Sequence, residues 1–155
     1  MLFAAADHVR EEVVTMKASG GELRTKQVFG QNSSLMVAAR SAGYHSDPHA
    51  HDCEQLNYVR RGEIWVFIED TAFHLRTGDF LRVPPRAVHW AWNRGEVTCE
   101  LIETHTPGLA LEGIADAPRL VADDETCCDP VPNLWADISY LDNEARALAA
   151  HGVTR

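Results

Sequence analysis

His49 and His51 are separated by one residue within Gly43-Tyr44-His45-Ser46-Asp47-Pro48-His49-Ala50-His51-Asp52-Cys53-Glu54-Gln55. In an extended segment side chains alternate with period two, so these two imidazoles share a face and can grip one ion. Gln55 has the same parity, which brings its amide oxygen to that face and turns Glu54 away; Glu54 becomes the oxygen donor only if a bulge shifts the register. A third imidazole, His89, comes from Gly78-Asp79-Phe80-Leu81-Arg82-Val83-Pro84-Pro85-Arg86-Ala87-Val88-His89-Trp90-Ala91-Trp92-Asn93. Three imidazoles and one oxygen suit a borderline divalent transition metal: Zn, Ni, Fe, Mn, Co or Cu. Because Gln55 is neutral, this set offsets none of the ion's charge, which favours strong polarisation of a bound oxygen and tolerance of an anionic substrate.

Further candidates surround this set. In Cys99-Glu100-Leu101-Ile102-Glu103-Thr104-His105, strict alternation places Glu103 and His105 on one face, as a general acid or base pair if that face is inward. The plainer alternative has Glu103 in solvent and His105 at a strand end. Tyr44 and His45 are candidates for the mouth of the site, Asn57 for a substrate hydrogen bond, and Arg86 for a carboxylate, each against an ordinary structural role.

Short strands must position these groups. The pattern predicts a helical turn over residues 7–12, β-prone residues 13–16, strands over 22–29 and 34–39, and then strands over about 54–60, 63–69, 72–76, 80–83, 88–93 and 97–105. Close turns at Arg61-Gly62, Glu69-Asp70, Thr77-Gly78, Pro84-Pro85 and Arg94-Gly95 make this an antiparallel sandwich or barrel. Ile64-Trp65-Val66-Phe67-Ile68 is apolar on both faces, and Trp90 and Trp92 are out of phase with His89, so the outer side needs a cover: an N-terminal strand or a second copy of the chain. Residues 109–133, interrupted by Gly113, Pro118, Pro130 and Pro132, read as a loop draped over the barrel; Asp142 is a candidate cap for a helix from Asn143 to His151, with Gly152 as its stop.

The two histidine-bearing stretches resemble the paired motifs of the cupin superfamily. Gly43, His49, His51 and Gly62 match the first motif, with Gln55 where glutamate is usual. Gly78, Pro84, His89 and Asn93 match the second, with Arg86 where a glycine is usual. Fifteen residues separate Gly62 from Gly78, as in small microbial cupins, and the resemblance covers roughly residues 35–107. It implies an all-β fold, the double-stranded β-helix or jelly-roll barrel, here with a short C-terminal helix. It also implies the metal ligands His49, His51, Gln55 and His89. The chain is similar, less closely, to the cupins that linearise unsaturated uronates from pectin and alginate, which use three histidines and a glutamine with an acidic residue on the last core strand, here Glu103. His105 stands where that family has an aromatic residue, and the arginine that follows there has no counterpart in Thr106-Pro107-Gly108-Leu109.

The chain's 155 residues suit one domain, with a core over about 22–107 and an extension over 108–155. Its 14 Lys plus Arg against 23 Asp plus Glu give a formal charge of -9 and no basic stripe, which argues against nucleic acid. No apolar run is long enough for a membrane span, and the N-terminus lacks a signal-peptide pattern, so a cytoplasmic protein with reduced cysteines is expected. These readings converge on a metal-dependent lyase or isomerase acting on a small oxygenated, carboxylated or sugar-derived molecule, as a homodimer. The alternatives are an iron or nickel dioxygenase and a non-enzymatic small-molecule sensor.

Overall fold

The computed structural model describes residues 1–111 and 116–155. Among the described residues thirteen strands form, of which eleven build two antiparallel sheets around the site and its supports. The first sheet contains β1 (Glu12–Thr15), β2 (Glu22–Phe29), β3 (Ser34–Arg40), β5 (Glu54–Arg61), β8 (Phe80–Val83) and β10 (Cys99–Thr106), in the order β1-β2-β3-β10-β5-β8. The second contains β4 (His49–Ala50), β6 (Glu63–Ile68), β7 (Thr71–Arg76), β9 (His89–Trp92) and β13 (Leu134–Trp135), in the order β13-β4-β9-β6-β7. A parallel pair, β11 (Leu109–Ala110) and β12 (Val131–Pro132), completes the strands.

The two sheets close on an apolar plug made by Val59, Cys99 and Leu101 from the first and Ile64, Val66 and Leu75 from the second. Cross-strand burial of this kind is what β-branched and aromatic side chains on a pleated surface supply. At the connections, Gly62 and Gly78 have φ of 89° and 94°, a region open to glycine and costly for other residues. Arg86 takes φ of 66° in the Pro-Pro-Arg turn, which accounts for the glycine usual at that motif position.

Both faces of β6 are buried, as the unbroken apolar run requires. Ile64 and Val66 enter the plug, while Trp65 and Phe67 pack outward with Ala72 and Trp90. The cover is not the N-terminal strand. It is α1 (Glu144–Ala149), whose Ala147 and Leu148 lie on that aromatic layer, and burying a side chain such as Leu148 contributes about 1.5–3 kcal/mol. The N-terminal strand β1 instead pairs with β2 at the edge of the first sheet.

Three local expectations change. The helix over residues 7–12 is only a 3-10 turn at Ala6–His8, and Glu12 already belongs to β1. Asp142 does not cap α1: it lies inside a 3-10 segment, Ile138–Asn143, whose start is capped by Asp137 accepting from Ser139 N at 2.8 Å. The loop expected over 109–133 carries β11 and β12; its residues 112–115 lie outside the described residues. No described helix is long and apolar enough to cross a membrane.

Candidate metal centre

Register, not proximity in sequence, assembles the site. In the second sheet His49 stands opposite His89, so both imidazoles point to the same side. In the first sheet the row Gln55, His105 and Ser34 runs beside the row Asn57, Glu103, Met36 and Gln27, all on the inner face. The single register shift in the β5–β10 pair falls between Glu100 and Leu101, beyond the site, so the alternation that turns Gln55 inward is uninterrupted. Glu54 points outward to Arg82.

The donor atoms of His49, His51 and His89 all lie within 4.8 Å of one another, close to the span of two metal–nitrogen bonds of about 2.0–2.1 Å. In each ring Nδ1 faces a backbone carbonyl: Asp47 O at 2.9 Å for His49, Cys53 O at 3.1 Å for His51 and Ala87 O at 2.9 Å for His89. A carbonyl only accepts, so Nδ1 carries the proton and every Nε2 presents a lone pair. Gln55 Oε1 sits 3.1 Å from His51 Nε2, and its amide nitrogen donates to Asn57 Oδ1 at 2.7 Å. Two acceptors therefore face each other, and His89 Nε2 is buried with no partner. A cation resolves both conflicts, and the residues present fit one.

Burial lowers the pKa of His49 to about 4, against the pull of Asp47 O and with the push of His51. His89 is held well below the ordinary value by burial, with His49 next in effect. Both rings are thus neutral ligands at neutral pH.

Beside the histidines lies a polar wall. Glu103 is buried and meets Arg40 Nη1 at 2.7 Å. Burial opposes its ionisation, but Arg40 and then His105 outweigh that and keep its pKa below the usual carboxylate value. His105 packs edge-on to His51, with ring centroids 5.6 Å apart; burial lowers its pKa to about 4, and its Nδ1 has no partner. Thr25 Oγ1, Gln27 Oε1 and Arg40 Nε are buried without partners as well.

Four expected residues sit differently from the histidine cluster. Tyr44 is packed with Leu23, Met36 and Ala38 under the Arg40 guanidinium, within the core and not at the mouth. His45, one residue on, is carried to the outer face, where it stacks on Trp92 and meets Glu144. Arg86 turns its guanidinium to solvent and pairs with Asp52 at 3.1 Å. Asn57 is inward, but its partner is Gln55. Sequence reasoning missed Arg40 because the strand expected over 34–39 stopped one residue short of it; continuing the alternation Ser34, Met36, Ala38 reaches it. It also missed Trp135, whose indole lies against His49 with ring centroids 5.8 Å apart. A surface hollow of about 570 Å³ between Trp65, His74, Arg76, His151 and Val153 shares no residue with this centre.

The sequence model of the family described as "Cupin domain" matches residues 36–105, which hold all four proposed ligands and both residues of the Glu103–His105 pair. Residues 36–105 are a cupin domain. No curated protein matches the chain. Among solved structures the cupin is similar to an RmlC-like cupin from Shewanella frigidimarina, at 24% identity over 73% of this chain and 95% of that one, with a TM-score of 0.56. It is similar to KdgF from Halomonas sp., at 20% identity over 69% and 94%, TM-score 0.56. It is also similar to a predicted oxalate decarboxylase from Thermotoga maritima, at 14% identity over 68% and 98%, TM-score 0.60. These likenesses establish the jelly-roll fold.

Proposed function

We propose that this cupin is a metal-dependent enzyme, a lyase or isomerase that moves a proton on a small oxygenated molecule carrying a carboxylate or derived from a sugar. The observation that carries the reading is the set of lone pairs from His49, His51, His89 and Gln55 aimed at one point beside a neutral, unpartnered His105. A bound divalent ion would polarise a substrate carbonyl or hydroxyl oxygen and make the adjacent C–H more acidic. His105 Nδ1 then accepts the proton and returns it at a neighbouring atom. Glu103, held ionised by Arg40, stabilises the imidazolium and is a poor proton carrier itself. With a neutral ligand set, the charges of Arg40 and Glu103 offset each other and the ion's charge is left for an anionic substrate to balance. The name of one structural neighbour, a predicted oxalate decarboxylase, is compatible with a small carboxylated substrate.

Elemental analysis of protein purified without added metal tests the centre. Stoichiometric metal in the wild type and its loss in His89→Ala is the expected result; retention in that variant removes His89 from the ligand set. Turnover is tested by proton–deuterium exchange on small hydroxy- and keto-carboxylates in D2O without dioxygen. Exchange that requires oxygen, or oxygen uptake with Fe(II), would replace the lyase or isomerase reading by the dioxygenase one, and ligand-dependent stabilisation without any exchange would replace it by the sensor.

A further inference from the structure

The row of the second sheet that carries two of the histidines does not end at the barrel wall. It runs Ile68, His89, His49 and then Trp135, which β13 places directly opposite His49. Residues directly opposite in an antiparallel pair project to the same side, so the indole continues the face that bears the imidazoles. The pairing is held by a segment that crosses the edge of the sheet: Ala136 N donates to Pro48 O at 2.9 Å, next to His49. Within that row His89 is buried and His49 half-buried, whereas Trp135 is 60% exposed. Beside it, Leu134 and Ile138 are exposed at 57% and 59%. An indole fixed by backbone pairing, with one edge on a ligand-bearing imidazole and the rest of its surface open, is a flat apolar wall at the rim of the metal centre.

We propose that Trp135 is a specificity-determining residue that stacks on the ring of a cyclic substrate whose oxygen atoms reach the ion held by His49, His51, His89 and Gln55. The substrate class is therefore a ring, aromatic or pyranose, carrying adjacent oxygen donors. The inference rests on the metal-centre reading and adds to it a wall supplied by the C-terminal extension, from outside the cupin domain at residues 36–105. Stacking on an aromatic face adds affinity for a ring over an open-chain analogue with the same chelating atoms.

The test uses the full chain loaded with Co(II), whose visible spectrum reports binding, and two probes that chelate through the same pair of oxygens. Acetohydroxamate has no ring; benzohydroxamate has one. The expected result is tighter binding of benzohydroxamate in the wild type, a preference that falls roughly two- to tenfold in Trp135→Ala and survives in Trp135→Phe, with acetohydroxamate affinity and cobalt content unchanged. An unaltered preference in Trp135→Ala, with cobalt still bound, overturns the inference and leaves the metal centre standing. Absence of any preference in the wild type, with Trp135→Ala altering sedimentation, overturns it in favour of a contact between copies of the chain. Failure of the wild type to hold cobalt overturns the metal-centre reading and this inference together.

Discussion

Burying Arg40 and Glu103 together inside a barrel has a measurable signature. A buried ion pair gains little net stability, because desolvation offsets attraction, but removing one partner leaves an uncompensated charge. Glu103→Ala is expected to lower unfolding stability by about 3–5 kcal/mol in urea titrations, whereas the double change Arg40→Met/Glu103→Leu costs far less. Equal losses in the two proteins would mean that the pair does not act as a unit. For the same reason Glu103→Gln, not Glu103→Ala, is the variant in which loss of exchange activity can be read as chemistry. Asn57 allows a similar argument about the ligands. It holds the Gln55 amide so that Oε1 faces His51 Nε2, and outer residues of this kind alter metal affinity about 10–100-fold. Asn57→Ala should weaken metal retention by that order in chelator competition without changing the far-UV circular dichroism. At this scale parity carried much of the information: His49, His51, Gln55, Glu103 and His105 all follow from period-two alternation. What alternation cannot reveal is which charge another strand supplies, and Arg40 comes from a strand about sixty residues away from Glu103.

The elements show where reading a sequence locally loses its hold. The strands of the first sheet were legible from β-branched and aromatic residues between glycine turns. The two-residue strands β4 and β13 were not, since their pairing depends on tertiary register and leaves no periodic trace. The aromatic outer face required a cover, yet nothing local said that α1 would supply it. The contact that identifies α1 is long-range: Glu144, fully buried, accepts from Trp90 Nε1 at 2.7 Å and from Arg155 Nε at 2.9 Å, and meets His45. Burial raises the cost of its charge, but the hydrogen bonds of His45, Arg155 and Trp90 outweigh this and lower its pKa. A carboxylate with a lowered folded-state pKa contributes stability that is complete above the ordinary value near 4.5 and is lost as pH falls through the folded one. Limited pepsin digestion across that acidic range should therefore release the C-terminal segment before the barrel opens, and Glu144→Gln should flatten the dependence. A release profile unchanged by Glu144→Gln would place the acid-sensitive contact elsewhere.

At the scale of the whole molecule, covering the aromatic face with α1 moves the expected homodimer contact to the other side of the barrel. The outer face of the first sheet carries Val37, Ile102, Tyr58 and Phe80 in one cross-strand row and Leu35, Thr104 and Leu56 in the next. Phe80 is 77% exposed, Leu35, Val37 and Leu56 are exposed too, and the Tyr58 and Phe80 rings pack 4.9 Å apart. Charged residues border this face, with Lys26 and Arg24 on one side and the Glu54–Arg82 pair on the other. An apolar centre with a charged rim is the surface that a second copy of the chain can bury, and monomers rarely leave such a row uncovered. Sedimentation of the wild type is accordingly expected to give a dimer, and Leu56→Glu, which puts a charge at the centre of the face without touching the inner side of β5, a folded monomer. Because the proposed ligands lie inside the barrel, His49 and His89 on the second sheet and Gln55 on the inner face of β5, the monomer should keep its metal. A wild type that sediments as a monomer at all accessible concentrations would sink the dimer while leaving the site intact, and metal loss in a folded Leu56→Glu monomer would mean that the two faces of the sheet are coupled.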